Sequence, residues 1–104
     1  MKVPTTVWIL GRPWTLKRHA ESIPGAEEGT AGLCDTTRKT IHLWTGFADI
    51  PSAFWHEAYH AGLYEVSNQK DGLDEEHACN TLTAVTLSVR EDPRNEGVLS
   101  WLEK

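Results

Sequence analysis

The apolar period of this chain changes once, at Gly46, from two residues to about 3.6. Ahead of that point, Thr5 to Leu10 (TTVWIL) is β-branched and aromatic, Gly11, Arg12 and Pro13 interrupt it, and WTLKR resumes the pattern, which predicts a β-hairpin. TAGLCD and TIHLW, separated by the turn-forming stretch Asp35 to Lys39, predict a second hairpin with Leu33, Ile41 and Leu43 as its apolar markers. Between the two, Glu21 to Gly29 carries Pro24, two glycines and paired acids and reads as a surface loop. Beyond Gly46, Asp49 or Ser52 can cap a helix that holds Pro51 in its first turn and runs to about Glu65. Ser67 to Gly72 is a polar loop, and Asp74 then caps a second helix whose stripe Leu73, Ala78, Leu82, Val85 and Val89 forms one buried face. That helix ends near Asp92, where Pro93 stops it and opens a short terminal helix toward Trp101 and Leu102. Strands followed by helices predict an α+β fold, a small antiparallel or mixed sheet from two N-terminal hairpins packed on the helices. A length of 104 residues fits one domain with a modest core, to which Trp8, Trp14, Trp44, Trp55 and Trp101 bring large side chains as core and rim.

Charge narrows the function classes. The net charge of −5 disfavours a nucleic-acid binder, and the one basic run, Lys17, Arg18 and His19, is too short to neutralise a phosphate backbone. No stretch reaches the length of a membrane span, and VWIL is shorter than a signal-peptide core, so the expectation is a cytoplasmic protein without membrane contact. Cys34 and Cys79 lie far apart and form no CxxC pair, which fits free thiols in a reducing compartment.

Within the first predicted helix stands His56, Glu57, Ala58, Tyr59, His60, in the run AFWHEAYHAGLY. Residues four apart on a helix share a face, so His56 and His60 can direct two imidazoles at one zinc ion with Glu57 beside them as general base. The neighbours Phe54, Trp55, Ala58, Tyr59, Ala61 and Leu63 predict burial for this segment, and burying two histidines and a glutamate without partners would cost several kcal/mol, on the order of what a metal would offset.

A catalytic zinc takes three protein ligands and leaves one position open, so a third ligand is required. The metzincin extension would need glycine and histidine where Leu63 and Val66 stand, and is ruled out. The first turn of the second helix reads Asp74, Glu75, Glu76, His77 and offers three candidates. Glu75 ranks first, being three and seven residues ahead of Ala78 and Leu82 on the packing face, whereas Glu76 is turned away by about 100°. Glu76 is the second choice, with Asn80 placed to orient it or His56, and His77 is third. Acids in a first helical turn also serve the helix dipole.

Other polar residues read as structural. His42 alternates with Ile41 and Leu43 and is expected to face solvent, and His19 is expected at the surface. The spacing of Cys34, His42 and Cys79 does not support a structural zinc site, and Cys79 reads as a small buried residue. Tyr59 faces away from the ligand stripe. Gly62 weakens the helix by about 1 kcal/mol relative to alanine, for which close approach of another backbone is the expected compensation.

With two hairpins, the motif in FWHEAYHAGLY and the acidic helix start GLDEEHACNTL, the chain resembles the small phage and prophage zincin-like metallopeptidase family. Leu73, Asp74, Glu75 and Glu76 match that family's Leu-Ser-Glu-Glu-like start, and Asp92 and Pro93 match the opening of its terminal segment. A more distant likeness is to ImmA/IrrE-type and SprT-type minimal zincins. The resemblance implies zinc at His56 and His60, Glu57 as catalytic base, an acidic third ligand at Glu75 or Glu76, and hydrolysis of a peptide or related amide bond in the bacterial host cytoplasm. It implies no particular substrate. The chain departs from the family at Gly62 and at Tyr59, where a bulky apolar residue and leucine are usual. TIHLW is expected to flank the cleft and pair with an extended peptide. The rival reading is a non-catalytic zinc-stabilised module that binds and modulates a host protein.

Overall fold

The computed structural model describes residues 5–67 and 75–103; for residue 67 and residues 75–80 it describes the backbone. Four strands, β1 (Thr6–Ile9), β2 (Arg12–His19), β3 (Gly32–Asp35) and β4 (Thr40–Trp44), precede three helices, α1 (Ile50–Ser67), α2 (Glu75–Glu91) and α3 (Glu96–Leu102), with a 3-10 turn at Pro93–Asn95 before α3. The fold is α+β, and both hairpins form. They are joined by a parallel pairing of β2 with β4, which makes one mixed sheet in the order β1-β2-β4-β3.

Leu10 and Gly11, both at positive φ, form the two-residue turn of the first hairpin. The break therefore falls one residue earlier than expected, and Pro13 lies inside β2 opposite Trp8. Proline is tolerated there because its missing N–H points away from β1, ahead of the first β2–β4 bond from Thr15 to Lys39. The connection at 21–29 forms no strand or helix, as expected. It is not wholly a surface loop, since Ile23 is buried.

Val7, Ile9, Trp14, Leu16, Ile41 and Leu43 line the sheet face that meets Phe54, Ala58 and Ala61 of α1, Val85 and Val89 of α2, and Val98 and Leu102 of α3. Leu33 does not join them. It faces away from the helices at 38% exposed, because the alternation of β3 sends Gly32 and Cys34 inward instead. Of the five tryptophans, Trp14 is core and the other four are half-buried, three of them under guanidinium groups: Arg94 over Trp8, Arg90 over Trp55 and Arg18 over Trp101.

Asp49 caps α1, accepting the Ser52 N–H and hydroxyl at 3.2 and 2.7 Å, with Pro51 one residue into the helix. At the other end, Glu65 Oε2 accepts the Trp14 indole N–H and the Lys39 ammonium, tying α1 to β2 and to the β3–β4 turn. α2 packs antiparallel on α1 through Gly62 against Val85, Tyr59 against Thr86 and Trp55 against Arg90. Leu73 and Asp74 lie outside the described residues, as do the side chains of Ala78 and Cys79. Among the described residues, no helix is long and apolar enough to cross a membrane.

Gly62 makes its close approach to a side chain rather than to a backbone. A Cβ there would stand 2.1 Å from Val85 Cγ2. Val85 is fully buried and β-branched, so it cannot turn aside without an off-rotamer cost. Gly62→Ala is therefore expected to destabilise the fold by about 1–2 kcal/mol, overpacking outweighing the gain in helix propensity. Urea unfolding measures this, and adding Val85→Ala should recover part of the loss; a Gly62→Ala protein more stable than the parent would contradict the packing.

Candidate metal centre

One turn of α1 places His56 and His60 on the exposed side of the helix and sets Glu57 beneath them, against β3. The two Nε2 atoms are 3.2 Å apart. Ligands at 2.0–2.1 Å around a tetrahedral zinc ion stand about 3.3 Å apart, so the pair already has the spacing that such an ion requires. The ring centroids are 4.7 Å apart and the planes cross at 78°. That centroid separation is too short for rings pointing nose to nose across a 3.2 Å contact, so their lone pairs leave at an angle to the N···N line, as ligands sharing one ion must. Donor atoms of His56, Glu57 and His60 all lie within 4.8 Å of one another, so the group can hold a metal ion.

Burial divides the motif differently from expectation. Both histidines are exposed, so the cost expected from burying them does not arise, and only Glu57 is buried, at 7% exposure. Desolvation raises its carboxyl above the usual range, while His56 and His60 pull it back down. Such a group is more basic than a solvated carboxylate, which is what a proton acceptor needs.

Gly32 makes this burial possible. A Cβ at that position would meet Glu57 Cγ and Oε2 at 2.9 Å, so glycine lets the β3 backbone close over the carboxylate where any side chain would push Glu57 aside. The sequence carried a signal for it, because a lone glycine within a strand pattern marks close approach of another group. Cys34, the next inward residue of β3, lines the same open groove of about 370 Å³ with Gly32, Leu33, Thr36, His56, Glu57 and His60. Its thiol is pushed up to about 12 by burial first and then by Glu57 and Asp35, so it is protonated at neutral pH.

The strand beside the groove is β3, not β4. TIHLW was the expected flank, yet β4 has neighbours on both sides, β2 and β3, whereas β3 ends the sheet among the described residues. Trp44 donates its N–H to Ala31 and Gly32 sits opposite Leu43. By the alternation of an antiparallel ladder, Gly32 and Cys34 direct their N–H and C=O groups outward along the free edge.

Tyr59 bonds to the Thr86 hydroxyl at 3.0 Å, away from the groove. His42 and His19 lie on the sheet face away from the helices, as expected, but both are half-buried and bond to each other across β4 and β2. Glu75, Glu76 and His77 open α2, and their side chains lie outside the described residues. Glu75 precedes Val85, the residue beside Gly62, by ten positions, about 15 Å of helix. In comparisons with family models, curated proteins and solved structures, nothing matches the chain.

Proposed function

We propose that the chain is a minimal zincin-like metallopeptidase in which His56 and His60 hold zinc and Glu57 is the general base. The observation that carries this reading is the pair of imidazole nitrogens at tetrahedral spacing directly above a buried, basic carboxylate. A bound zinc ion would supply Lewis acidity toward a carbonyl oxygen and acidify a water molecule. Glu57 then takes the proton of the attacking water and passes it to the leaving amine. The free edge of β3 supports the choice of substrate: the outward N–H and C=O groups of Gly32 and Cys34 can pair with an extended peptide laid beside the histidines. The ligand set is completed, in the sequence-based reading, by Glu75, then Glu76, then His77.

Elemental analysis of chain made without a histidine tag tests the premise. One equivalent of zinc is expected, with His56→Ala and His60→Ala each weakening it by more than about tenfold. Metal-free protein whose stability His56→Ala leaves unchanged would remove the reading altogether. Zinc affinity in Glu75→Ala, Glu76→Ala and His77→Ala decides the third ligand: a loss in one assigns it to the start of α2, and no loss in any of the three reduces the protein ligands to those of α1. A second reading is favoured by the exposure of both histidines and the openness of the groove. It is a zinc-stabilised module that binds a host protein without cleaving it, and wild-type chain that takes up zinc yet cleaves nothing in a peptide library would select it.

A further inference from the structure

The sheet has two outer edges among the described residues, and they are finished differently. Along β1, Asn95 accepts the Trp8 N–H and donates to the Trp8 carbonyl, and Ser88 accepts the Leu10 N–H, so side chains close that edge. Along β3, no side chain among the described residues bonds to the outward N–H and C=O groups of Gly32 and Cys34. Edge strands are ordinarily blunted by proline, by a central charge or by a bulge, and the centre of β3, Gly32 to Cys34, has none of these. Leu33 in its middle is 38% exposed, one of two large apolar side chains so exposed among the described residues.

A strand that pairs with its own copy must match itself read backwards, and about Leu33 β3 does. Antiparallel pairing centred there sets Gly32 against Cys34 of the second copy at both hydrogen-bonded places, uses all the outward groups, and brings the two Leu33 side chains together at the closer, non-hydrogen-bonded place. Centring on Gly32 or Cys34 instead pairs only one of the two within the strand. The flanks match as well. The turn leading into β3 carries Glu27 and Glu28, and the turn leaving it carries Arg38 and Lys39. Reversal about Leu33 sets Glu28 against Arg38 and Glu27 against Lys39, acid to base at both ends. Glu27, Glu28 and Arg38 are exposed. Asp35, the acid at the basic end, is taken up in its own turn, accepting the Arg38 backbone N–H at 3.1 Å, and Lys39 is shared with Glu65.

We propose that the free edge of β3 is a docking surface for a second copy of this chain, paired antiparallel about a two-fold axis at Leu33. Two four-stranded sheets then become one. The groove lined by Gly32, Cys34, His56 and His60 runs along that edge, so the second copy closes it. A peptide substrate and the second copy compete for the same strand, while the pairing itself rests on neither metal nor cleavage.

A few backbone bonds and one leucine pair make a small interface and hence a weak dimer, so sedimentation equilibrium of metal-free, tag-free full chain should run from about 10 μM to about 1 mM. A dimer is expected, and Leu33→Lys, which sets like charges directly opposite each other, should weaken it more than about tenfold. Glu28→Arg and Arg38→Glu should each weaken it about three- to tenfold at low salt, and the two together in one chain should restore it. All three side chains are exposed, so circular dichroism should show the fold kept in every variant. Cross-linking reads the register: with Cys34→Ser as background, adding Leu33→Cys should give a disulfide-linked dimer in glutathione buffer, whereas adding Thr37→Cys, far from the axis, should not. Chain that stays monomeric to about 1 mM and forms no such disulfide overturns the proposal and leaves the edge to a foreign strand. A dimer that Leu33→Lys leaves unchanged within about twofold overturns it too. Zinc takes no part in these measurements, so failure of the metal reading leaves their outcome readable.

Discussion

Replacing Glu57 with glutamine is expected to lower peptide hydrolysis by about 10²–10⁴-fold while leaving zinc bound. The amide keeps the shape of the carboxylate under the Gly32 backbone but cannot accept a proton from water, and neither histidine is touched. A structural role predicts a different result, with zinc and fold lost together. The same substitution has a second readout in the metal-free protein. Because burial raises the carboxyl of Glu57 in the folded state, its ionised form opposes folding. That opposition is absent below the ordinary carboxylate range and sets in as pH rises through the raised value. Glu57→Gln should therefore stabilise metal-free chain at neutral pH and make no difference near pH 3. Steady-state cleavage of a peptide library, zinc content and urea unfolding at two pH values check the three statements. Cleavage that persists in the variant would take the base away from Glu57.

Asn95→Ala is expected to cost about 3–5 kcal/mol, a large share of what a domain of this size has. Asn95 is fully buried, accepts the Trp8 N–H at 2.7 Å, and donates to the Trp8 and Val89 carbonyls at 2.7 and 3.1 Å. Its side chain thus plays the part of another strand along the outer edge of β1, where the hairpin ladder leaves the polar groups of Trp8 facing away from β2. Alanine leaves all three groups without partners where water has little access. Asn95→Asp should be worse at neutral pH, since a carboxylate can accept from Trp8 but donate to neither carbonyl. Urea unfolding followed by tryptophan fluorescence, together with amide exchange at Trp8, measures both. A loss under about 1 kcal/mol for alanine would mean that water replaces the amide freely.

What could be read from the sequence was local. The change of period at Gly46, the two hairpins, the Asp49 cap and the end of α2 ahead of Pro93 each depend on residues within one turn or one hairpin of each other. The histidine pair with Glu57 belongs to that class, since four-residue spacing on a helix puts both rings on one side wherever the helix packs. Solvent access does not belong to it. Whether α1 turns its histidines inward depends on which face Ala58, Ala61 and Phe54 present to the sheet, and small residues on several sides leave that open. The parallel pairing of β2 with β4, the covering of Glu57 by Gly32 and the fit of Gly62 to Val85 join distant segments, and neither composition nor period encodes them. Asn95 is the clearest case: it stands in the polar run DPRNEG, and only the position of β1 reveals it as buried.

The bonds between Trp8 and Asn95 span 87 residues. A chain made from its N-terminus exposes the first hairpin long before the segment that closes its outer edge has been synthesised. Until Asn95 arrives, the first strand is an open template for pairing with any neighbouring chain. Solubility during synthesis is thus set by how fast the last helices dock, and by a single amide side chain among them.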